Sequence, residues 1–90
     1  MIAPGHTLSV SGRDILIDAS DPEEGVCLEK RTKNGYERVM KASLLSSDSS
    51  IVEIVFDGEL SPRKYLIAIY TRCGRGKDHK VVVCRHEVSA

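Results

Sequence analysis

Hydrophobic positions in this chain fall in short, β-branched runs, each closed by Gly, Pro, Asn, Asp or Ser. Leu8-Ser9-Val10 is a first short strand, ended by the turn residues Ser11-Gly12. Asp14-Ile15-Leu16-Ile17-Asp18 alternates with period two and predicts a half-buried strand. Ser20 to Gly25 predicts a loop, because Pro22 has no N–H for a ladder and Gly25 accepts positive φ. Val26 to Lys30 resumes a strand. Lys33-Asn34-Gly35 predicts a hairpin with a type I′ turn, since Asn-Gly supplies two residues at positive φ. Tyr36 to Met40 then returns antiparallel.

Ala42-Ser43-Leu44-Leu45 reads as strand or irregular chain, and Ser46 to Ser50 as a polar loop. Ile51 to Phe56 predicts a buried strand, Asp57-Gly58 a turn, and Leu60 to Lys64 a lead into the strand Tyr65 to Thr71. Cys73 to Asp78 is a glycine-rich hairpin tip, and Lys80 to Val88 is the last strand. These apolar runs have strand length, are β-branched and end at breakers, so a helical reading fits them poorly. About seven short strands with no helices between them predict an all-β chain: an Ig-like antiparallel β-sandwich, one domain over residues 1–90.

Leu60, Pro62 and Tyr65 sharpen that expectation. A tyrosine entering a strand after such a corner bonds its hydroxyl to backbone a few residues upstream, as in the tyrosine corner of Ig-like sandwiches. With Tyr65 facing in, Ile67 and Ile69 face in too, beside Val52, Ile54 and Phe56. The Ig cysteine pair is absent, Ile67 standing where the second Cys would be, and there is no Trp. The same alternation places Leu66, Ala68 and Tyr70 on the other face, beside a last strand that is apolar on both faces at Val81-Val82-Val83-Cys84. This predicts an outward apolar stripe of Leu66, Tyr70 and two valines. Either a loop or the N-terminal segment covers it, or it contacts another domain or subunit, a homo-oligomer included.

Ninety residues hold one domain. Thirteen basic residues balance thirteen acidic ones, which argues against coating nucleic acid or an anionic membrane by bulk charge. The N-terminal residues Met1 to His6 have no leader pattern, and the run Tyr65 to Tyr70 is far short of the roughly 20 residues of a spanning helix. Three cysteines without framework spacing fit reduced thiols in a cytoplasm.

Candidate chemistry is sparse. Cys84 and His86 share one face of a strand, and Cys73, His79 and Cys27 could approach, but the paired spacings of a zinc site are missing. Cys84, His86 and Glu87 sit on one rigid ladder, a poor arrangement for a nucleophile and its base. A Cys73–Cys84 disulfide is not expected, because a hairpin turning near Gly76 sets Cys84 opposite a residue near Ala68. We therefore expect no enzyme, no catalytic residue, no metal, no cofactor and no small-molecule substrate. The local charge concentration is Arg72, Arg75, Lys77, His79 and Lys80, with Gly74 and Gly76 allowing close backbone approach. Arg72, Arg75, Lys77 and Lys80 are the candidate phosphate or anion contacts. The segment is not a P-loop, and Asp78 with the cluster Asp21, Glu23 and Glu24 dilutes its field. A solvated hairpin tip is the alternative reading.

The chain resembles the Ig-like C-terminal domain, of unassigned function, of bacterial proteins that carry an N-terminal HU-type DNA-binding domain. The stretches involved are Pro4-Gly5 with Leu8, Gly12 to Ile17, Asp21-Pro22, Gly25-Val26, Ser49 to Val55, Tyr65-Leu66-Ile67 with Thr71, His79-Lys80 and Cys84-Arg85. Asp57 replaces the usual proline after the fifth strand, and Arg63-Lys64 replace a glycine before Tyr65. The resemblance implies a non-catalytic accessory or interaction module whose partners are an attached HU-type domain and, through it, DNA. A cell-surface adhesion or carbohydrate-binding Ig-like module is the alternative, disfavoured by 4% aromatic residues.

Overall fold

The computed structural model describes residues 5–89; the reading of Met1 to Pro4 lies outside them. Seven strands form: β1 (Thr7–Ser11), β2 (Gly25–Thr32), β3 (Gly35–Lys41), β4 (Ser43–Ser47), β5 (Ile51–Val55), β6 (Lys64–Thr71) and β7 (Val82–Ser89). They make a three-stranded sheet of order β1-β5-β4 and a four-stranded sheet of order β3-β2-β6-β7, both antiparallel throughout. The described residues contain no helix.

Period-two alternation aims Val10, Val52 and Ile54 of one sheet at Val26, Leu28, Tyr65, Ile67 and Ile69 of the other, with Phe56 beside them. Val52, Ile54, Ile69 and Leu28 are wholly buried. The tyrosine corner is present: the Tyr65 hydroxyl donates to the Ser61 carbonyl at 2.8 Å.

Four sequence expectations need correction. Asp14 to Asp18 forms no strand, whereas the strand reading of Ala42 to Leu45 holds as β4, which runs on through Ser46 and Ser47 of the expected loop. Asp14 takes φ 56°, which turns the chain away from β1. The N–H groups of Gly12 and Ile15 then bond the Ser50 and Ser49 carbonyls, and the Ile17 N–H bonds the Ser47 hydroxyl. The Leu16 carbonyl takes the Thr71 hydroxyl on the opposite sheet. The segment thus crosses from one sheet to the other. Its alternation survives as burial, with Ile15 and Ile17 in the core and Leu16 exposed.

The β2–β3 hairpin forms, but Thr32 pairs with Gly35, so Lys33 and Asn34 make the turn. Gly35 takes φ 136° while Asn34 stays out of the positive region, and the turn is not type I′. The last strand starts at Val82, not Lys80. Finally, Leu66 and Tyr70 are not an exposed stripe. Leu66 is only 5% exposed, in a shallow depression among Arg31, Arg63, Lys64 and Glu87, whose long side chains flank it. Tyr70 is half-buried, and its hydroxyl donates to Glu29.

Candidate functional site

The β6–β7 connection, residues 72–81, carries the four candidate cations, and the structure divides them. Arg72 leaves β6 beside the 20–24 loop, and its side chain is 11% exposed. Its Nε donates to Asp21 Oδ2 at 2.9 Å, and an Nη donates to Glu23. The other Nη donates to the His79 carbonyl at 2.6 Å. Asp21 Oδ1 accepts the Glu23 N–H, and Glu24 Oε1 accepts the Arg72 N–H at 3.2 Å. Arg72 is therefore a clasp between two loops, with its planar fork fully engaged, and is not an exposed anion contact. The Glu23 N–H first, and Arg72 second, hold the Asp21 carboxyl below the usual carboxylate range. Asp21, reciprocally, raises the Arg72 pKa.

Arg75, Lys77 and Lys80 are exposed, and among the described residues none has a carboxylate within 4 Å. Two tight turns hold them out, from the Arg75 N–H to the Arg72 carbonyl and from the His79 N–H to the Gly76 carbonyl. Gly74 serves the fold: it has φ 73°, and a Cβ there would come within 2.9 Å of the Leu16 side chain. Gly76 has φ 88° and open space where its side chain would be.

A groove of about 550 Å³ lies beside the clasp. Glu23 and Glu24 line one part of it and Arg38 and Lys41 another, with Val26, Leu44, Tyr70 and Val81 between. Cys27 also contacts the groove but is 2% exposed. Burial first, and the neighbouring Glu29 second, push its thiol pKa up, so it is a poor nucleophile at neutral pH.

A second polar cluster, which sequence reading missed, covers the outer face of the four-stranded sheet. Glu29 is 4% exposed there, its carboxylate shared by the Tyr70 hydroxyl and by Arg85 Nε at 2.8 Å. The Arg85 guanidinium stacks on the Tyr36 ring at 3.7 Å from its centroid. Tyr70 is 41 residues from Glu29 and Arg85 is 56, so only strand register brings them together. The available signal was Glu29 itself, a carboxylate on the same strand face as Cys27.

Two packed antiparallel sheets and a tyrosine corner define an Ig-like β-sandwich. The chain belongs to the family described as a domain of unknown function (DUF4469) with an Ig-like fold, whose model matches residues 1–83. None of the curated proteins matches it. The crystal structure of a protein from Bacteroides vulgatus, described as a candidate bacterial DNA-binding protein, is similar with a TM-score of 0.70 and 17% identity. The likeness covers 96% of this chain and 38% of that one, and at such identity it shows the fold alone.

Proposed function

We propose that this domain is a non-catalytic interaction module of a larger DNA-associated protein, adding a weak, sequence-independent phosphate contact through Arg75, Lys77 and Lys80. The observation that carries the reading is the division of the basic hairpin. One arginine fixes the base of the loop, while Arg75 and Lys77 in the connection and Lys80 near its end are exposed and, among the described residues, have no carboxylate within 4 Å. The similarity to part of a candidate DNA-binding protein supports that context, as does the resemblance to domains that follow an HU-type domain. The zero net charge fits an auxiliary contact better than an autonomous DNA binder.

Fluorescence anisotropy on a short duplex tests the proposal. The isolated domain should bind with Kd on the order of 10⁻⁴ M or weaker, with a log–log salt slope near −0.9 per phosphate contacted. Arg75→Ala with Lys77→Ala should flatten that slope by about two units. Fusion to a DNA-binding domain raises the tip's effective concentration and should magnify the difference between wild type and variant. An identical salt slope for wild type and variant, both isolated and fused, would remove the phosphate contact.

A further inference from the structure

Among the described residues β7 is an edge strand of the four-stranded sheet. Its eight residues pair with β6 in unbroken register from Ser89–Lys64 to Val82–Thr71. Among the described residues nothing pairs with its other side, which presents a row of N–H and C=O groups that no proline or bulge blunts. The β2–β3 and β4–β5 pairings, which involve the edge strands β3 and β4, both contain register shifts. β7 also leaves Val82 50% and Val83 39% exposed.

Residues of β7 opposite Thr71, Ile69, Ile67 and Tyr65 are Val82, Cys84, His86 and Val88, so these four share the inner face of the sheet. Cys84 is exposed, His86 is partly exposed, and Cys84 Sγ lies 3.7 Å from His86 Nε2. In a tetrahedral zinc site, bonds of about 2.3 Å to sulfur and 2.0–2.1 Å to nitrogen set those two ligand atoms about 3.6 Å apart. One chain thus holds a preformed half of a Cys₂His₂ site. Among the described residues no group of three or more such ligands exists to complete it.

We infer that two copies of this chain pair antiparallel through β7 and together bind one Zn²⁺ by Cys84 and His86 of each. A two-fold axis at Arg85 sets Cys84 opposite His86 of the partner subunit, and the reverse. Directly opposite residues lie about 4.5–5.5 Å apart at Cα, so four side chains on one face can reach one ion. The same register sets Val82 opposite Val88 of the partner subunit, twice, and covers the exposed valine with an apolar neighbour. Arg85 would meet its own copy on the outer face, but each guanidinium is drawn back over its own sheet to Glu29 and Tyr36. Thiolate and imidazole suit the borderline-soft Zn²⁺. On binding, each Cys84 thiol releases its proton to solvent and forms an S–Zn bond with no change of oxidation state.

The test uses the full chain, kept reduced, titrated with Zn²⁺ and followed by sedimentation and native mass spectrometry. The expected result is one zinc per two chains, a dimer that chelator dissociates, and thiolate charge-transfer absorption with tetrahedral bands when Co²⁺ is used instead. Cys84→Ser and His86→Ala sit at solvent-accessible positions and should leave the fold intact. Each should weaken metal-dependent dimerisation by at least about 100-fold, since losing even a group that only hydrogen-bonds a metal ligand costs about 10–100-fold. A chain that stays monomeric with Zn²⁺, binds one zinc each, or dimerises equally well as Cys84→Ser overturns the inference.

Discussion

Arg85 reaches Glu29 across an intervening strand: its Nε lies 2.8 Å from Glu29 Oε1, although β6 separates β7 from β2. Ala68 makes the crossing possible. It stands in register between Cys27 and Arg85, is wholly buried, and has no bulk beyond Cβ to block an arginine laid over it. Arg85→Ala removes the cation from a carboxylate that is nearly buried and should cost about 1–3 kcal/mol. Ala68→Leu should destabilise as well, by forcing Arg85 off Glu29. Urea unfolding measures both, and a double mutant no worse than the Ala68→Leu single would show one shared interaction.

The carboxyl of Glu29 also sets a pH dependence. Burial pushes its pKa up, but the Tyr70 hydroxyl and Arg85 outweigh that and hold it below the ordinary value. A folded-state pKa below the unfolded one means the unfolded chain binds more protons in acid. The stabilisation is therefore complete above about pH 5 and declines as pH falls through the ordinary carboxylate value of about 4.3 toward the lower folded one. Asp48, held down by the N–H groups of Ser50 and Ile51, and Asp21 act in the same direction. Denaturation from pH 7 to pH 3 should show stability lost on the acid side, with a shallower slope in Glu29→Gln.

Tyr65→Phe should cost about 1–2 kcal/mol, because it leaves the Ser61 carbonyl without its donor while the ring stays packed. For a domain of this size each kcal/mol lowers Tm by roughly 4–8 °C. An unchanged midpoint would mean the corner hydroxyl contributes nothing to the fold.

Tyr65 also marks what the sequence makes legible. A corner tyrosine and period-two alternation are local, so the sandwich, the inward set Tyr65, Ile67 and Ile69, and the β6–β7 hairpin were all readable. Asp14 to Asp18 misled because alternation reports burial and not pairing. Its isoleucines enter the core while the left-handed Asp14 withholds the backbone from a ladder. Arg72 misled for a different reason. A basic residue beside basic neighbours reads as part of a charged tip until register sets Asp21 and Glu23, about 50 residues upstream, against its guanidinium. Leu66 reads as exposed because, Lys64 of its own strand apart, the long side chains that flank it come from β2, β7 and the turn before β6.

The three thiols should differ in reactivity by burial. Cys84 is exposed, Cys73 intermediate and Cys27 buried, and all three are free. Native protein should modify Cys84 first and Cys27 last, the latter slowed further by its raised pKa. Denatured protein, purified without reductant, should titrate three thiols. A count of one would reveal a disulfide that this geometry does not contain.

The basic hairpin separates stability from binding at single-residue resolution. Arg72→Ala removes the donor to Asp21, Glu23 and the His79 carbonyl at once, and so frees the 72–81 connection from the 20–24 loop. Its Tm should fall, and Arg72→Lys should rescue little, because an ammonium cannot reproduce a planar fork with three separate acceptors. Arg75→Ala and Lys77→Ala should leave stability within about 0.5 kcal/mol, as exposed substitutions away from any network do. On the duplex the order reverses. Arg75→Ala and Lys77→Ala should each reduce the salt slope by about one, whereas Arg72→Ala should weaken binding only as far as the tip loses its shape. Thermal melts and anisotropy on the three alanine variants read both effects. A large loss of stability in Arg75→Ala, or a full unit of salt slope lost in Arg72→Ala with Tm unchanged, would assign the two roles the other way round.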